Sequence, residues 1–282
     1  MSFLSLKILF DDGTEPFVAH FTTKSGRTRE VNKWRNRYIL TFVTEKDNGI
    51  YYMGFRSIPL NMGRKTLHIT VHGEDTKMEG LRSISTSCKL NPYCQKRALV
   101  PGSICAECYA QQYLSMRKGL RDWTEWNYHL LNSGILDKED LPIITDDIFR
   151  LESFGDVGSR NAVINFLNLC NRNPHTYFTV WTKNAEIYDE VFKAGYKKPR
   201  NLIIIISSFM INVVADISKY WWADKVFTVF ESEAKAKELG FAINCGNEKD
   251  IAAGLKRKCR RCMKCYGKGA RKSSRYINEL LK

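Results

Sequence analysis

Cysteines are the residues of this chain whose types and spacing point most directly to chemistry. There are nine in 282 residues, and four of them form a C-terminal set, Cys245, Cys259, Cys262 and Cys265. The last three follow a C-x2-C-x2-C spacing, whose two-residue gaps let consecutive sulfurs face one centre. Four such thiolates hold a tetrahedral zinc ion or one [4Fe–4S] cluster, and the basic residues between them lower the thiol pKa. The C-terminal set is therefore predicted to bind a metal.

A second group of cysteines lies earlier in the chain. This N-terminal set comprises Cys94, Cys105 and Cys108, with Cys88 as an additional candidate. Three thiolates leave one iron position open, as a cofactor-activating cluster requires, whereas four would close a structural site. Two alternatives stay open: all these thiols serve one site with the C-terminal set, or they are small buried hydrophobic residues. Cys170, on the apolar side of a predicted helix, is expected to pack in the core.

The charge of the chain predicts a polyanionic partner. Lys and Arg number 44 against 30 Asp and Glu, a net charge of +14, and the span 256–275 carries ten basic side chains and no acidic one. Such a segment is typical of phosphate binding, which favours nucleic acid, and the alternative is a solvated basic face. The predicted nucleic-acid-binding residues are Lys256, Arg257, Arg260, Arg261, Lys268, Arg271, Lys272 and Arg275.

Hydrophobic periodicity predicts the elements that must position these residues. Residues 1–73 alternate apolar and polar positions between turn signals, which indicates a β-rich N-terminal portion. Residues 80–104 lack a clear period and are predicted to form a long loop, and residues 105–133 to form a helix. Strands and helices then alternate. The predicted strands are 149–157, 177–182, 202–207, 226–230 and 241–244, the predicted helices are 161–171, 186–194 and 234–239, and a last helix ends the chain.

This alternation predicts an α/β fold. The run Leu202-Ile-Ile-Ile-Ile206 is apolar on both faces, as parallel strands covered by helices are. Repeated strand–helix units fit a doubly wound sheet or a partial or complete TIM-like (β/α) barrel. The expected organisation is a β-rich portion over 1–73, a barrel-like domain over 74–246 and a cysteine-rich, basic, metal-binding segment over 247–282.

Polar residues that follow the predicted strands are the candidate catalytic groups. In sheets and barrels of this kind, active sites form beyond the carboxyl ends of the strands. Glu152 and Asp156 follow one such strand and suit acid–base work or the binding of a cationic or hydroxyl-bearing group, although Asp156 could equally cap the next helix. Lys183 follows the next strand and could bind an anion there or pair with one of the two carboxylates.

Several short motifs together resemble a known family. They are Asn91-Pro-Tyr-Cys94, Ile104-Cys-Ala-Glu-Cys-Tyr-Ala110, Arg150-Leu-Glu-Ser-Phe-Gly-Asp156, Trp181-Thr-Lys-Asn184 and Ile243-Asn-Cys-Gly246. This combination, over about residues 54–282, is similar to the phage gene product 88-like family of phages and mobile elements. The Cys-x-x-Cys-Tyr-Ala segment also resembles radical-SAM-like phage proteins. That resemblance implies a partial TIM barrel, a three-thiolate [4Fe–4S] cluster and S-adenosylmethionine as cofactor, although Cys94 precedes Cys105 by eleven residues where the radical-SAM pattern is C-x3-C-x2-C.

Three functions are therefore expected in order of preference. The first is a radical-SAM-like iron–sulfur enzyme, with one or two clusters, that acts on nucleic acid or a nucleotide. The second is a zinc-bearing barrel that modifies or exchanges a base, with Asp156 or Glu152 as nucleophile. The third is a non-enzymatic nucleic-acid-binding module with structural zinc. No apolar run of about 18 residues and no signal-peptide pattern occurs, so no membrane association is expected and a cytoplasmic location is predicted, the host cytoplasm if a phage encodes the chain.

Overall fold

The computed structural model describes two compact units, Met1–Thr66 and Leu67–Lys282. In the first unit it describes the backbone of the strands that residues 19–22, 28–31, 37–46 and 49–59 form. It also describes Thr66, and in the second unit it describes residues 67–73, 76–246, 251, 254 and 257–281 with their side chains. Lys256, one of the predicted nucleic-acid-binding residues, lies outside the described residues.

The described elements of the first unit are two antiparallel strand pairs. Strands β1 (Ala19–Thr22) and β2 (Thr28–Val31) pair with each other, as do β3 (Arg37–Lys46) and β4 (Gly49–Pro59). The register of the second pair shifts between Phe42 and Val43.

The second unit contains one seven-stranded sheet. Its strands are β5 (Thr70–Val71), β6 (Arg82–Ile84), β7 (Ile148–Leu151), β8 (Tyr177–Thr182), β9 (Leu202–Ser207), β10 (Lys225–Phe230) and β11 (Tyr276–Leu280). The described helices are α1 (Pro92–Ala98), α2 (Tyr109–Met116), α3 (Lys118–Ser133), α4 (Arg160–Arg172), α5 (Ala185–Lys193), α6 (Glu233–Glu238) and α7 (Cys259–Cys262), with short 3-10 helices at Lys138–Asp140 and Lys268–Lys272.

The strands lie side by side in the order in which they occur along the chain. All neighbours from β6 to β11 are parallel, and only β5 runs antiparallel to β6. This confirms the predicted α/β class with a mostly parallel sheet. Strand β9 is buried along its whole length, as its continuous apolar run predicted.

The two faces of the sheet pack against different material. One face, which includes Phe149, Val180 and Ile204, forms the main core with residues of α4 and α5. The other face, which includes Ile148, Ile203 and Ile205, contacts Tyr266 and Ala270 from the segment between β10 and β11. The cysteine-rich segment therefore covers the face that the helices leave open.

An ion pair spans this second face, which we call the concave face. Lys77 lies in the connection from β5 to β6 and Glu279 lies in β11, yet Lys77 Nζ is 2.6 Å from Glu279 Oε1. Strands β6 and β11 are five neighbour steps apart, about 24 Å in a flat sheet at roughly 4.8 Å per step, far more than two side chains can span. The reach of the connection that carries Lys77 and the curvature of the sheet together bring its two ends towards each other on the face that carries the cysteine-rich segment.

Five predictions of elements were wrong in detail. The strand predicted over 149–157 ends at Leu151, because Glu152 takes a left-handed conformation. The predicted loop over 80–104 contains β6 and α1, because a three-residue strand is too short to show a period. The predicted helix over 105–133 is two helices, which begin after Cys108 and break at Arg117. Residues 241–244 are not a strand, and the chain ends in β11 rather than in a helix. The buried Asn278 and Glu279 hide the alternation of that strand.

Among the described residues, no helix combines the length and the apolar character that crossing a membrane requires.

Candidate metal centres and the strand-end site

Backbone contacts hold the C-terminal set of cysteines against the concave face. The amide of Cys259 donates to the carbonyl of Lys77 over 2.8 Å, and Thr179 Oγ1 on β8 donates to the carbonyl of Cys265 over 2.8 Å. The amide of Cys245 donates to the carbonyl of Asn278 on β11. Three distant parts of the chain thus bring these cysteines to one region.

The electrostatics of the C-terminal set show that its thiols are close neighbours. Burial raises the pKa of Cys265, and the sulfurs of Cys245, Cys259 and Cys262 raise it further. Burial likewise raises the pKa of Cys245 to about 12, against the opposing effect of Lys77. Buried thiols that keep their protons because of one another are the groups that a metal cation would deprotonate and bind together.

The N-terminal set lies at the carboxyl end of the first parallel strands. Burial raises the pKa of Cys94, and the next largest contributions come from Asp156, Glu152 and the other sulfurs of the set. Burial also raises the pKa of Cys105, while the nearby Lys183 ammonium lowers it. These cysteines therefore lie beside all three predicted catalytic residues.

Cys88 belongs with the N-terminal set. It is 2 % exposed, and its thiol hydrogen-bonds to the sulfur of Cys108, which lowers the pKa of Cys108 and raises that of Cys88. Cys108 occupies the N-cap of α2, and although its side chain makes no regular capping hydrogen bond, the nearby amides of Ala110 and Gln111 also lower its pKa. Four thiols, rather than three, are thus gathered here.

The two sets have different surroundings. Lys77, Glu279, Arg150 and Lys225 are the charged neighbours of the C-terminal set, whereas Glu152, Asp156 and Lys183 are those of the N-terminal set. Within the described ranges, no three His, Cys, Asp or Glu side chains already stand in metal-binding geometry. The donor chemistry of both sets fits a thiolate-bound metal, and the convergence of each set on one centre stays a prediction.

Glu152 directly follows β7 and has an unusual conformation. Its φ of 56° is left-handed, which is uncommon for a non-glycine residue and often marks functional sites. Its carboxyl accepts from Thr86 N over 2.9 Å and from Thr86 Oγ1 over 2.8 Å, and it is 2 % exposed. Burial raises its pKa to about 8, against the effect of the Thr86 donors. The side chain is therefore mostly neutral at pH 7.

Asp156 ties two strand ends together. Its carboxylate accepts from Thr182 Oγ1, from the amide of Lys183 and from its own neighbour Val157, all within 2.8 Å. Burial raises its pKa, whereas these donors lower it. Asp156 is not the cap of the following helix, α4. Ser159 caps that helix, and its side chain accepts from the amide of Ala162. No described ion pair joins the Lys183 ammonium to either carboxylate.

Gly155 makes the close approach at this site possible. A Cβ at this position would lie 2.4 Å from the carbonyl oxygen of Thr86 and 3.0 Å from Glu152 Oε2. Only a residue without a side chain therefore lets the end of β7 reach the loop after β6, which carries Thr86 and Cys88.

Sequence reasoning missed several residues of this region. Thr86, His72 and Tyr109 were not predicted, yet Thr86 binds Glu152, His72 Nε2 lies 3.1 Å from Ser153 Oγ, and Tyr109 donates to the carbonyl of Ser153. Arg150 was also missed. Its only sequence signal is a charge in the middle of an otherwise apolar strand.

The predicted nucleic-acid-binding residues divide into two groups. Arg260 and Arg271 make internal hydrogen bonds to the carbonyls of Gly80 and Leu202, although both are exposed. The others are exposed, and their side chains have no hydrogen bond or ion pair with the described residues: Arg257, Arg261, Lys268, Lys272 and Arg275.

Comparisons with known proteins place the chain in a family. No curated protein and no solved structure matches the sequence significantly. The model of the family described as gene product 88 matches residues 61–268, which are 208 of the 282 residues. This range includes every cysteine of both sets. The chain therefore belongs to the gene product 88 family.

Proposed function

We propose that the chain is an iron–sulfur enzyme of radical-SAM-like type that acts on nucleic acid or a nucleotide. The observation that carries this proposal is the place of the N-terminal set. Its cysteines follow the first parallel strand, β6, and lie beside Glu152, Asp156 and Lys183 at the carboxyl ends of the next two strands. That edge of a parallel sheet is where active sites form.

The sheet supports a partial TIM-like barrel as the scaffold. Six parallel strands in chain order, curved so that Lys77 reaches Glu279, match part of a barrel wall better than a doubly wound sheet, whose strand order reverses. The sheet is open, since β5 and β11 do not pair with each other. A complete barrel is therefore not supported.

Residues of the chain would divide the work at this edge. Cys94, Cys105 and Cys108 would hold the cluster, which when bound would supply an open iron position for S-adenosylmethionine and the electron for its cleavage. Glu152, neutral at pH 7 and bound to Thr86, offers a fixed acceptor or donor to an amine or hydroxyl group. Asp156 positions the end of β8, because its carboxylate is occupied by three donors.

The hydrogen bonds and the burial of these carboxyl groups weaken the base-exchange alternative. A carboxylate nucleophile needs an accessible oxygen, and Asp156 is 7 % and Glu152 2 % exposed. A different observation favours the third alternative, a nucleic-acid-binding module with structural zinc. Cys88 adds a fourth thiol to the N-terminal set, and four thiolates close a zinc site.

Metal analysis of single variants tests these functions against each other. We expect anaerobically purified protein to be brown and to contain iron, and Cys105→Ser and Cys262→Ser each to lose the iron of one centre. Cys170→Ala is the matched control, because Cys170 is buried in the main core and belongs to neither set. Colourless protein that contains only zinc would overturn the iron–sulfur proposal.

Cys88→Ser separates an open cluster from a closed site. If three cysteines hold a cluster with an open position, this variant keeps its iron and cleaves S-adenosylmethionine to 5′-deoxyadenosine under reducing conditions. If Cys88 is the fourth ligand, the variant loses the metal of the N-terminal set while the C-terminal set keeps its own. The second result would refute the three-thiolate assignment.

Nucleic-acid binding is tested by removing only the exposed cations. The variant Arg261→Ser, Lys268→Ser, Lys272→Ser and Arg275→Ser leaves every cysteine and every described hydrogen bond in place. If these side chains contact phosphates, the slope of log affinity against log salt should fall by roughly 0.7–0.9 per contact removed. The control replaces the exposed Lys197, Arg200, Lys219 and Lys237 with Ser, an equal charge change on other surfaces. Equal effects of both variants would contradict a specific interface.

A further inference from the structure

Arg150 is a charged residue on the concave face without a matching carboxylate. It lies in the middle of β7, and its register neighbours are Ser83 on β6 and Thr179 on β8. Its guanidinium carbon lies 4.1 Å from the ring centre of Trp181, and its Nη1 is 2.8 Å from Met78 Sδ. None of the ion pairs between described residues includes it.

Nearby acidic groups do not neutralise this guanidinium. Glu279 is paired with Lys77, and Glu152 is mostly neutral at pH 7 because burial raises its pKa to about 8. The neighbouring His72 is neutral too, since burial and the charge of Arg150 lower its pKa to about 4. Arg150 is half-buried, and its guanidinium has no carboxylate partner among the described residues, so an anion that accepts from its N–H groups is the expected complement.

Three buried polar atoms at and beside the Arg150 guanidinium lack a hydrogen bond of regular geometry, although the Tyr266 hydroxyl is close enough to the guanidinium to interact with it. They are Arg150 Nε, Ser83 Oγ and Tyr266 Oη. Ser83 is the register neighbour of Arg150, and the ring of Tyr266 lies 5.5 Å from that of Trp181, on which the guanidinium stacks. Buried polar groups are nearly always hydrogen-bonded, so the unsatisfied Arg150 Nε and Ser83 Oγ, with the Tyr266 hydroxyl beside the same guanidinium, indicate a ligand.

We propose that Arg150, Ser83 and Tyr266 form a binding site for an oxyanion, the phosphate or carboxylate group of a small ligand, on the concave face of the sheet. Arginine suits either group because its N–H donors match two oxygens at once, and the two hydroxyls add donors from the sides. The site stands without a metal and therefore independently of the proposed function. Arg150 also lies two residues before Glu152 in the sequence. A substrate held there by its anionic group would therefore extend towards the N-terminal set.

Thermal unfolding with inorganic phosphate and with acetate tests this site. An anion at about one hundred times its Kd should raise the Tm of the wild type by roughly 5–10 °C. A shift with phosphate indicates a phosphate-bearing ligand, and a shift with acetate indicates a carboxylate-bearing one. We expect Arg150→Met to abolish the shift and Tyr266→Phe to reduce it several-fold in apparent affinity.

Two matched controls separate a site from a general salt effect. Arg172 Nε and Tyr188 Oη are also buried without hydrogen bonds, but Tyr188 lies in the main core and Arg172 ends α4. Arg172→Met and Tyr188→Phe should therefore keep the full anion shift. A wild type that responds to neither anion at tens of millimolar, or an equal response in Arg150→Met, would overturn the proposal.

The stability of Arg150→Met without added anion excludes the main competing explanation. Cys259 is near Arg150, so the guanidinium could instead balance the charge of a metal centre in the C-terminal set. If Arg150 belongs to an anion site, the variant should keep its metal content and unfold at the same or a higher temperature, because a half-buried guanidinium without a carboxylate partner has been removed. Loss of metal together with a lower Tm would assign Arg150 to the metal centre and refute the anion site.

Discussion

The ionisation of Glu152 gives a prediction whose sign and size follow from the structure. The carboxyl titrates at about 8 in the folded chain against an ordinary value of 4.5, because burial disfavours its charged form. Between these pH values the folded chain keeps a proton that the unfolded chain releases. Rising pH therefore destabilises the fold across this window, and the loss is complete above the folded pKa.

The change Glu152→Gln removes the ionisation and little else. The amide oxygen can accept from the amide of Thr86, and the amide nitrogen can donate to Thr86 Oγ1, so both contacts keep a partner. At about 1.36 kcal/mol per pH unit, the pKa difference sets an upper limit of roughly 5 kcal/mol on the penalty at high pH. Relaxation around the charge reduces it, and we expect ~2–4 kcal/mol.

Urea unfolding at two pH values measures this effect. At about pH 9 the Gln variant should exceed the wild type in free energy of unfolding by ~2–4 kcal/mol, and near pH 5 the difference should almost vanish. Asp156→Asn is the contrasting variant: its amide would set N–H groups against the donors that hold Asp156, so it should destabilise at both pH values. A difference between wild type and Glu152→Gln that does not change with pH would refute the reasoning.

Two further variants test the packing of the sheet. Gly155→Ala should lower the free energy of unfolding by ~2–4 kcal/mol, because its Cβ would displace the Thr86 carbonyl and disturb the Glu152 contacts. Gly119→Ala is the control, since Gly119 has open space around it and the change should not destabilise the fold. Urea titrations compare the two variants. Lys77→Met should lower the free energy of unfolding by about 3–5 kcal/mol, because it leaves the buried Glu279 unpaired. Adding Glu279→Gln should restore most of that free energy. Additive losses in this double-mutant cycle would contradict the pairing.

The sequence was sufficient to predict the elements that have strong local patterns. Strands β8 and β9 were predicted at their observed bounds, because Leu202–Ser207 is continuously apolar and Tyr177–Thr182 is rich in aromatic and β-branched residues. Helices α4 and α5 were predicted to within a residue of each end. Strand β7 ends at Leu151, earlier than the predicted strand 149–157, and this shorter strand is what leaves Glu152 and Asp156 beyond its carboxyl end.

Long-range contacts were beyond the reach of periodicity. The pairing of Thr86 with Glu152 spans 66 residues, and it depends on the absence of a side chain at Gly155, which no local pattern reveals. Strand β11 was missed because its sequence, Tyr276–Leu280, carries a buried Glu279 whose partner Lys77 lies 202 residues away. Tertiary contacts thus decide whether a short polar segment forms a strand.

The cysteine-rich segment covers an apolar face of the sheet, a role that its basic composition does not predict. Helices α4 and α5 cover only the convex face of the sheet, so the apolar side chains on the concave face need another covering. Tyr266 and Ala270 provide it, from a segment whose regular structure is limited to α7 and one 3-10 helix. Such short elements have little stability of their own. A metal bound by Cys259, Cys262 and Cys265 would fix them, so removing that metal should loosen the inner core of the sheet as well as the segment itself.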